Sequence, residues 1–234
     1  MIENIVLDWG YVLAYPTTGN WFVSPEAKEI LGWKNMLRVF FHKKALKEDL
    51  RIACAGLNED HLLENEEKEY QQFMDFFEVM LTQLGVKKDK SRLVQELAKD
   101  LVFNPEHVQI YEDTKTGIQK LQEQYRVMIL SDNWPSLVSK MKHSGVDELI
   151  KEVVISCEHG ICKDNVKLFQ IAIDQWKINP QQSVFVDDSI TNLINAEKEG
   201  FHSILMDRTG KVTESDFPIA HTMEDVLCIV NQMK

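Results

Sequence analysis

Apolar residues fall into two rhythms along this chain. Short unbroken runs rich in Val and Ile occur at Ile5-Val6-Leu7, Val127 to Leu130, Val153 to Ile155, Val184 to Val186 and Ile204 to Met206. Runs of that length without alternation predict strands covered on both faces. Between the later runs, apolar positions return with helical spacing at Leu137, Val138 and Met141, at Leu168, Ile171, Ala172 and Trp176, and at Ile190, Leu193, Ile194 and Ala196. A further helix around Ile118 and Leu121 precedes the second strand. Strands alternating with single helices predict an α/β fold, a doubly wound parallel sheet joined by right-handed crossovers.

One long stretch breaks the rhythm. Residues 16–108 hold no convincing strand and carry charged helical patterns, Glu66 to Leu84 and Ser91 to Leu101. They predict an inserted all-α subdomain, leaving residues 1–15 and 109–234 to form the α/β core. Pro16-Thr17-Thr18-Gly19 and Asn104-Pro105 supply connecting residues at the two joints. Trp21, Phe22, Trp33, Phe40, Phe41 and His42 are expected as packing residues rather than as the lining of a pocket.

Composition narrows function more than fold. A chain of 234 residues, 44% hydrophobic and 27% charged, has ordinary globular usage and buries enough apolar surface to fold unaided. Its net charge of −11 argues against a nucleic-acid partner, which needs clustered Lys and Arg to displace counterions. The same charge repels anionic substrates, so a phosphate site would need neutralisation by a metal ion or a lysine. Cys54, Cys157, Cys162 and Cys228 lack paired zinc-ligand spacing, and His107, His143, His159, His202 and His221 show no metal-ligand grouping. No apolar run is long enough to span a bilayer, and the first strand starts without a basic leader, so a cytoplasmic protein without membrane association is expected. A monomer or homodimer is the expected state.

In a parallel sheet, ligands gather at the carboxyl ends of the strands. Asp8, Ser131, Asp132, Asp187 and Asp188 all fall at such ends, far apart in sequence. Ile5 to Leu13 is a strand that delivers Asp8 and then turns at Gly10. Ser131-Asp132-Asn133 offers a hydroxyl and backbone N–H groups to an anion, although capping of the next helix explains it equally well. Ser156 to Lys163 sets a lysine ahead of a helix, where a solvated lysine would be ordinary. Asp187-Asp188 is the least structural feature: two adjacent carboxylates repel unless a cation or strong donor lies beside them, and capping accounts for only one.

In this order, the four segments resemble the haloacid dehalogenase-like (HAD) hydrolase superfamily over roughly residues 1–15 and 110–210. The resemblance implies a Rossmann-like core with the inserted helices as a subclass I cap, setting specificity and closing over the reaction. It implies Asp8 as nucleophile, Ser131 with Asp132, Asn133 and Gly10 around the substrate, and Lys163 neutralising nucleophile and phosphate. It further implies Mg2+ held by Asp8, Asp187 and Asp188 with the Gly10 carbonyl. Asn192 stands where relatives often carry a second acid.

Two departures matter. Most phosphatases of this superfamily carry an acid two residues after the nucleophile, where this chain has Gly10; relatives usually follow the lysine with proline, where it has Asp164. The leading expectation is a magnesium-dependent phosphatase acting on a small phosphorylated metabolite through an aspartyl-phosphate. The alternatives are a metal-independent haloacid dehalogenase, with which Gly10 is compatible, and a degenerate member that binds a partner without turnover.

Overall fold

The computed structural model describes residues 1–41, 57 and 61–233. His42 and Cys54 lie outside that set. The chain divides into two compact units, one formed by Met1–Tyr15, Gln109–Asn133 and Leu137–Lys234, the other by Pro16–Val108 with Trp134–Ser136.

The first unit is built on a six-stranded parallel sheet: β1 (Asn4–Leu7), β4 (Arg126–Ser131), β5 (Val153–Ile155), β6 (Ser183–Asp187), β7 (His202–Met206) and β8 (Ile219–Ala220). Their order is β5-β4-β1-β6-β7-β8, so β1 lies between β4 and β6 where the winding reverses. Every residue of β1 and β6 is buried, as unbroken apolar runs require. The helices between them are α4 (Thr114–Gln122), α5 (Leu137–Ser144), α6 (Lys167–Trp176) and α7 (Ile190–Lys198). Leu168, Phe169, Ala172 and Trp176 of α6 and Leu193 and Ala196 of α7 join Val6, Met128 and Phe185 in one apolar core. A last helix, α8 (Met223–Gln232), starts with a reciprocal cap between Thr222 and Asp225.

The second unit is helical: α1 (Ala27–Phe41), α2 (Glu66–Gln83) and α3 (Lys90–Phe103). Phe73, Phe76, Phe77 and Met80 of α2 interlock with Leu93, Leu97 and Leu101 of α3. Trp134–Ser136 group with this unit for apolar and polar reasons, Trp134 packing against Phe22 and Phe73. The buried Glu69 carboxylate accepts from the Ser136 backbone N–H at 2.7 Å and hydroxyl at 2.6 Å, while Trp134 Nε1 donates to Gln72. A small two-stranded sheet pairs β2 (Ala14–Pro16) with β3 (Val108–Ile110).

Three features depart from the sequence reading. β2, β3 and β8 have two or three residues each, too few for a periodic signal. Helix α1 contains Gly32 at φ 68°, ψ 165°, a break that the charged pattern does not announce. Of the aromatics expected to pack, Phe22 does so, whereas Trp33, Phe40 and Phe41 are 69, 60 and 76% exposed. Among the described residues no helix is long and apolar enough to cross a membrane.

Candidate active site

The sheet register assembles the site. Leu7 pairs with Ile129 on one side and Val186 on the other, so Asp8 emerges between the ends of β4 and β6. Its own N–H still donates to the Val186 carbonyl at 2.9 Å, which holds the backbone in line with the sheet. Directly after it the chain reverses through Gly10 and Tyr11, the latter at φ 54°, and the Leu13 and Ala14 N–H groups both return to the Trp9 carbonyl. Arg208 braces this turn, its Nε and Nη2 donating to the Val12 carbonyl and its Nη1 to the Asp113 carboxylate.

Lys163 lies at the centre, 1% exposed despite its charge. Its Nζ is 2.7 Å from Asp8 Oδ1 and 2.6 Å from Asp187 Oδ2. Both are close, buried ion pairs, and the one with Asp187 is aligned as a hydrogen bond. Asp187 is fully buried and well supplied, receiving the Ser189 N–H at 2.7 Å and both Asn192 Nδ2 contacts at 3.1 and 3.3 Å.

Four carboxylates, those of Asp8, Asp132, Asp187 and Asp188, act on this single ammonium or on one another. Burial first, then the charges of Asp187 and Asp188, raise the Asp8 pKa to about 7, against the opposing pull of Lys163. Asp188, exposed as a residue, is raised to about 6 by partial withdrawal of its carboxyl from water and by Asp187. Asp132 is raised by burial despite Lys163. Burial works against the Lys163 ammonium, yet Asp187, Asp8 and Asp132 hold its pKa above the ordinary lysine value.

One carboxylate oxygen from each of Asp8, Asp187 and Asp188 lies within 4.8 Å of the others. This set fits a hard divalent cation: oxygen donors only, and three clustered carboxylates against one ammonium. Asp8 and Asp188 are the better placed ligands, because Asp187 already serves Lys163, Ser189 and Asn192. Gly10 stands in the turn beyond Asp8, bridged to Ala14.

The phosphate-facing candidates separate. Ser131 ends β4, buried, one residue beyond the level of Asp8. Asp132 turns instead to Lys163, accepting its backbone N–H at 2.8 Å, and the Asn133 N–H donates to the Ser156 hydroxyl at 2.9 Å. Both groups are thereby engaged in holding the loops together. Arg208 and Asn195 have structural roles that no sequence motif signalled, because a polar side chain outside a motif reads as solvated until its burial is known.

Residues 49–206 match the model of the haloacid dehalogenase-like hydrolase family, and the chain belongs to that family. The matched segment includes Ser131, Lys163, Asp187 and Asp188 but begins after Asp8. A curated relative, (S)-2-haloacid dehalogenase 4A of Burkholderia cepacia, is 29% identical over 119 residues, half of this chain and 52% of that protein. A haloacid dehalogenase-like family hydrolase from Xanthomonas campestris has the same fold at TM-score 0.73 and 9% identity, over 99% of this chain and 91% of that one. The HAD-hydrolase YfnB of Bacillus subtilis, solved bound to magnesium, matches at TM-score 0.66 and 15% identity, over 98% of this chain and 99% of that one. Solved neighbours of similar fold include both dehalogenases and a phosphatase.

Proposed function

We propose that this hydrolase is a magnesium-dependent phosphatase that cleaves a small phosphorylated metabolite through an aspartyl-phosphate on Asp8. The observation that carries the reading is the carboxylate set of Asp8, Asp187 and Asp188 around one buried ammonium. An enzyme attacking an anionic haloacid without metal would gain nothing from the additional charge at Asp188.

In the reaction, an Asp8 carboxylate oxygen attacks phosphorus in line as the ester P–O bond breaks, and the leaving oxygen takes its proton from water because Gly10 offers none. Water then attacks the acyl phosphate, releasing inorganic phosphate and restoring Asp8. Lys163 faces Asp8 through both steps and offsets charge gathering on the phosphoryl oxygens. Ser131 donates its hydroxyl to the phosphoryl group, and Asp132 keeps Lys163 in place. Asp8 and Asp188 would hold the magnesium ion, with Asp187 and the Gly10 carbonyl alongside. Bound magnesium supplies the positive charge that keeps Asp8 ionised near neutral pH and neutralises the transferred group. The helical unit acts as the specificity cap, and the protein works as a monomer or homodimer in the cytoplasm.

A metal-independent dehalogenase is the second reading, favoured by the name of the Burkholderia cepacia relative and by Gly10. Release of para-nitrophenol from its phosphate ester separates the two. We expect release with magnesium, none with chelator, and none from Asp8→Asn, which keeps the fold. Halide release from a 2-haloacid in chelator, without ester hydrolysis, would establish the second reading; neither activity would leave a binding protein.

A further inference from the structure

We infer that Asn195 is a positioning residue for Lys163, and that helix α7 serves as the jig that sets both ends of the buried ion pair. This rests on the reading of Lys163 as the charge partner of Asp8.

Lys163 reaches the site from a turn closed by the Asn165 N–H on the Cys162 carbonyl, and the next residue, Asp164, leaves φ unrestricted. Two side chains hold this turn. Asp132, at the end of β4, accepts the Lys163 N–H at 2.8 Å. Asn195, on α7 and 5% exposed, donates both amide hydrogens, one to the Lys163 carbonyl and one to the Asp164 carbonyl, each at 3.0 Å. Lys198, one turn on, donates to Asn195 Oδ1 at 2.9 Å and so fixes which end of the amide faces the turn. Lys163 is thus gripped at its N–H and at its carbonyl from two elements.

The same helix fixes the other end. The Ser189 N–H at its start and the Asn192 amide hold the Asp187 carboxylate, which accepts the Lys163 ammonium. Asn192 and Asn195 are three residues apart, hence neighbours on one helix face. One face of α7 therefore sets the separation between the Lys163 backbone and the carboxylate that aims its Nζ. Misplacing a charged group by about 1 Å can cost around a hundredfold in rate. The side chain that decides this touches neither Asp8 nor, on this reading, the substrate.

The test compares Asn195→Ser, which keeps one donor, Lys198→Met, which frees the amide to turn over, and Ser203→Ala as the structural control. Ser203 loses a buried hydrogen bond to the Leu193 carbonyl on the same helix without touching the Lys163 turn. Para-nitrophenyl phosphate hydrolysis with magnesium and the thermal midpoint are measured for each folded protein. We expect kcat to fall roughly tenfold or more in Asn195→Ser and severalfold in Lys198→Met, with KM changed less, while Ser203→Ala lowers the midpoint and keeps wild-type kcat. Wild-type kcat in both Asn195→Ser and Lys198→Met overturns the inference, as does an equal loss in Ser203→Ala. An inactive wild-type protein overturns the phosphatase reading and the inference with it, and that failure is visible before any variant is made.

Discussion

At the scale of single residues, the site is a problem of charge compensation. Lys163 is the buried cation shared by Asp8 and Asp187, and Gly10 stands where most phosphatases of the superfamily carry an acid. The missing acid matters little for para-nitrophenol, a good leaving group, and much for an alkoxide. General acid help is typically worth a factor of about 10² to 10⁴. We therefore expect Gly10→Asp to raise kcat on a sugar phosphate by at least about tenfold while leaving para-nitrophenyl phosphate nearly unchanged. Steady-state kinetics on the two esters check this, and equal effects on both would place the limiting step elsewhere.

At the scale of elements, the parts that make no chemistry hold the chemistry in place. Helix α4 packs on α8 through Gly117, where an added Cβ would lie 2.2 Å from Met223 Cβ. Backbone and Cβ atoms cannot yield as a side-chain tip does, so the helices would have to move apart. Gly117→Ala is expected to cost roughly 1–3 kcal/mol, against its favourable helix propensity, and to lower the denaturation midpoint. The same pair carries Asp113, which receives both Arg208 and the Met223 N–H, so loosening it also loosens the turn behind Asp8. Of these elements, α4, α5, α6 and α7 announced themselves by apolar spacing, whereas Gly117 gave no sign of its close contact, since a glycine within a helical pattern looks like a weakness until the neighbour is known.

At the scale of the whole molecule, the site sets a dependence of stability on pH. Asp8 and Asp188 have folded pKa values of about 7 and about 6, above their unfolded value of 3.8. The metal-free folded state therefore binds protons more tightly than the unfolded chain, and its stability falls as pH rises from about 4 to about 7. Asp207 runs the opposite way: the Val212 N–H and Thr209 hold it at about 2, a contribution present above 3.8 and lost as pH falls towards 2. Magnesium should replace the protons at Asp8 and Asp188. Its addition is expected to raise the thermal midpoint strongly at pH 8 and weakly at pH 5, and Asp188→Asn should raise the metal-free midpoint at pH 8 while removing most of the magnesium increment. Midpoints measured with magnesium and with chelator at the two pH values test this; an equal increment at both would place the ion away from these carboxylates.

By itself the chain determined its class of fold, because unbroken Val and Ile runs alternating with amphipathic helices leave few other ways to bury them. The pattern also put Asp8, Ser131, Asp132, Asp187 and Asp188 at the ends of strands on one edge of such a sheet, whereas Lys163 joined them only through the family resemblance. Tertiary structure alone decided what each carboxylate does. The Lys163 N–H met the Asp132 carboxylate, Ser189 and Asn192 met that of Asp187, and the Lys163 ammonium came within 2.7 Å of Asp8 Oδ1. It also buried Asn195, Glu69 and Arg208 where their polar groups had to find partners. Periodicity records which face of an element is apolar; which polar group meets which depends on register and burial, and those exist only after the elements have packed.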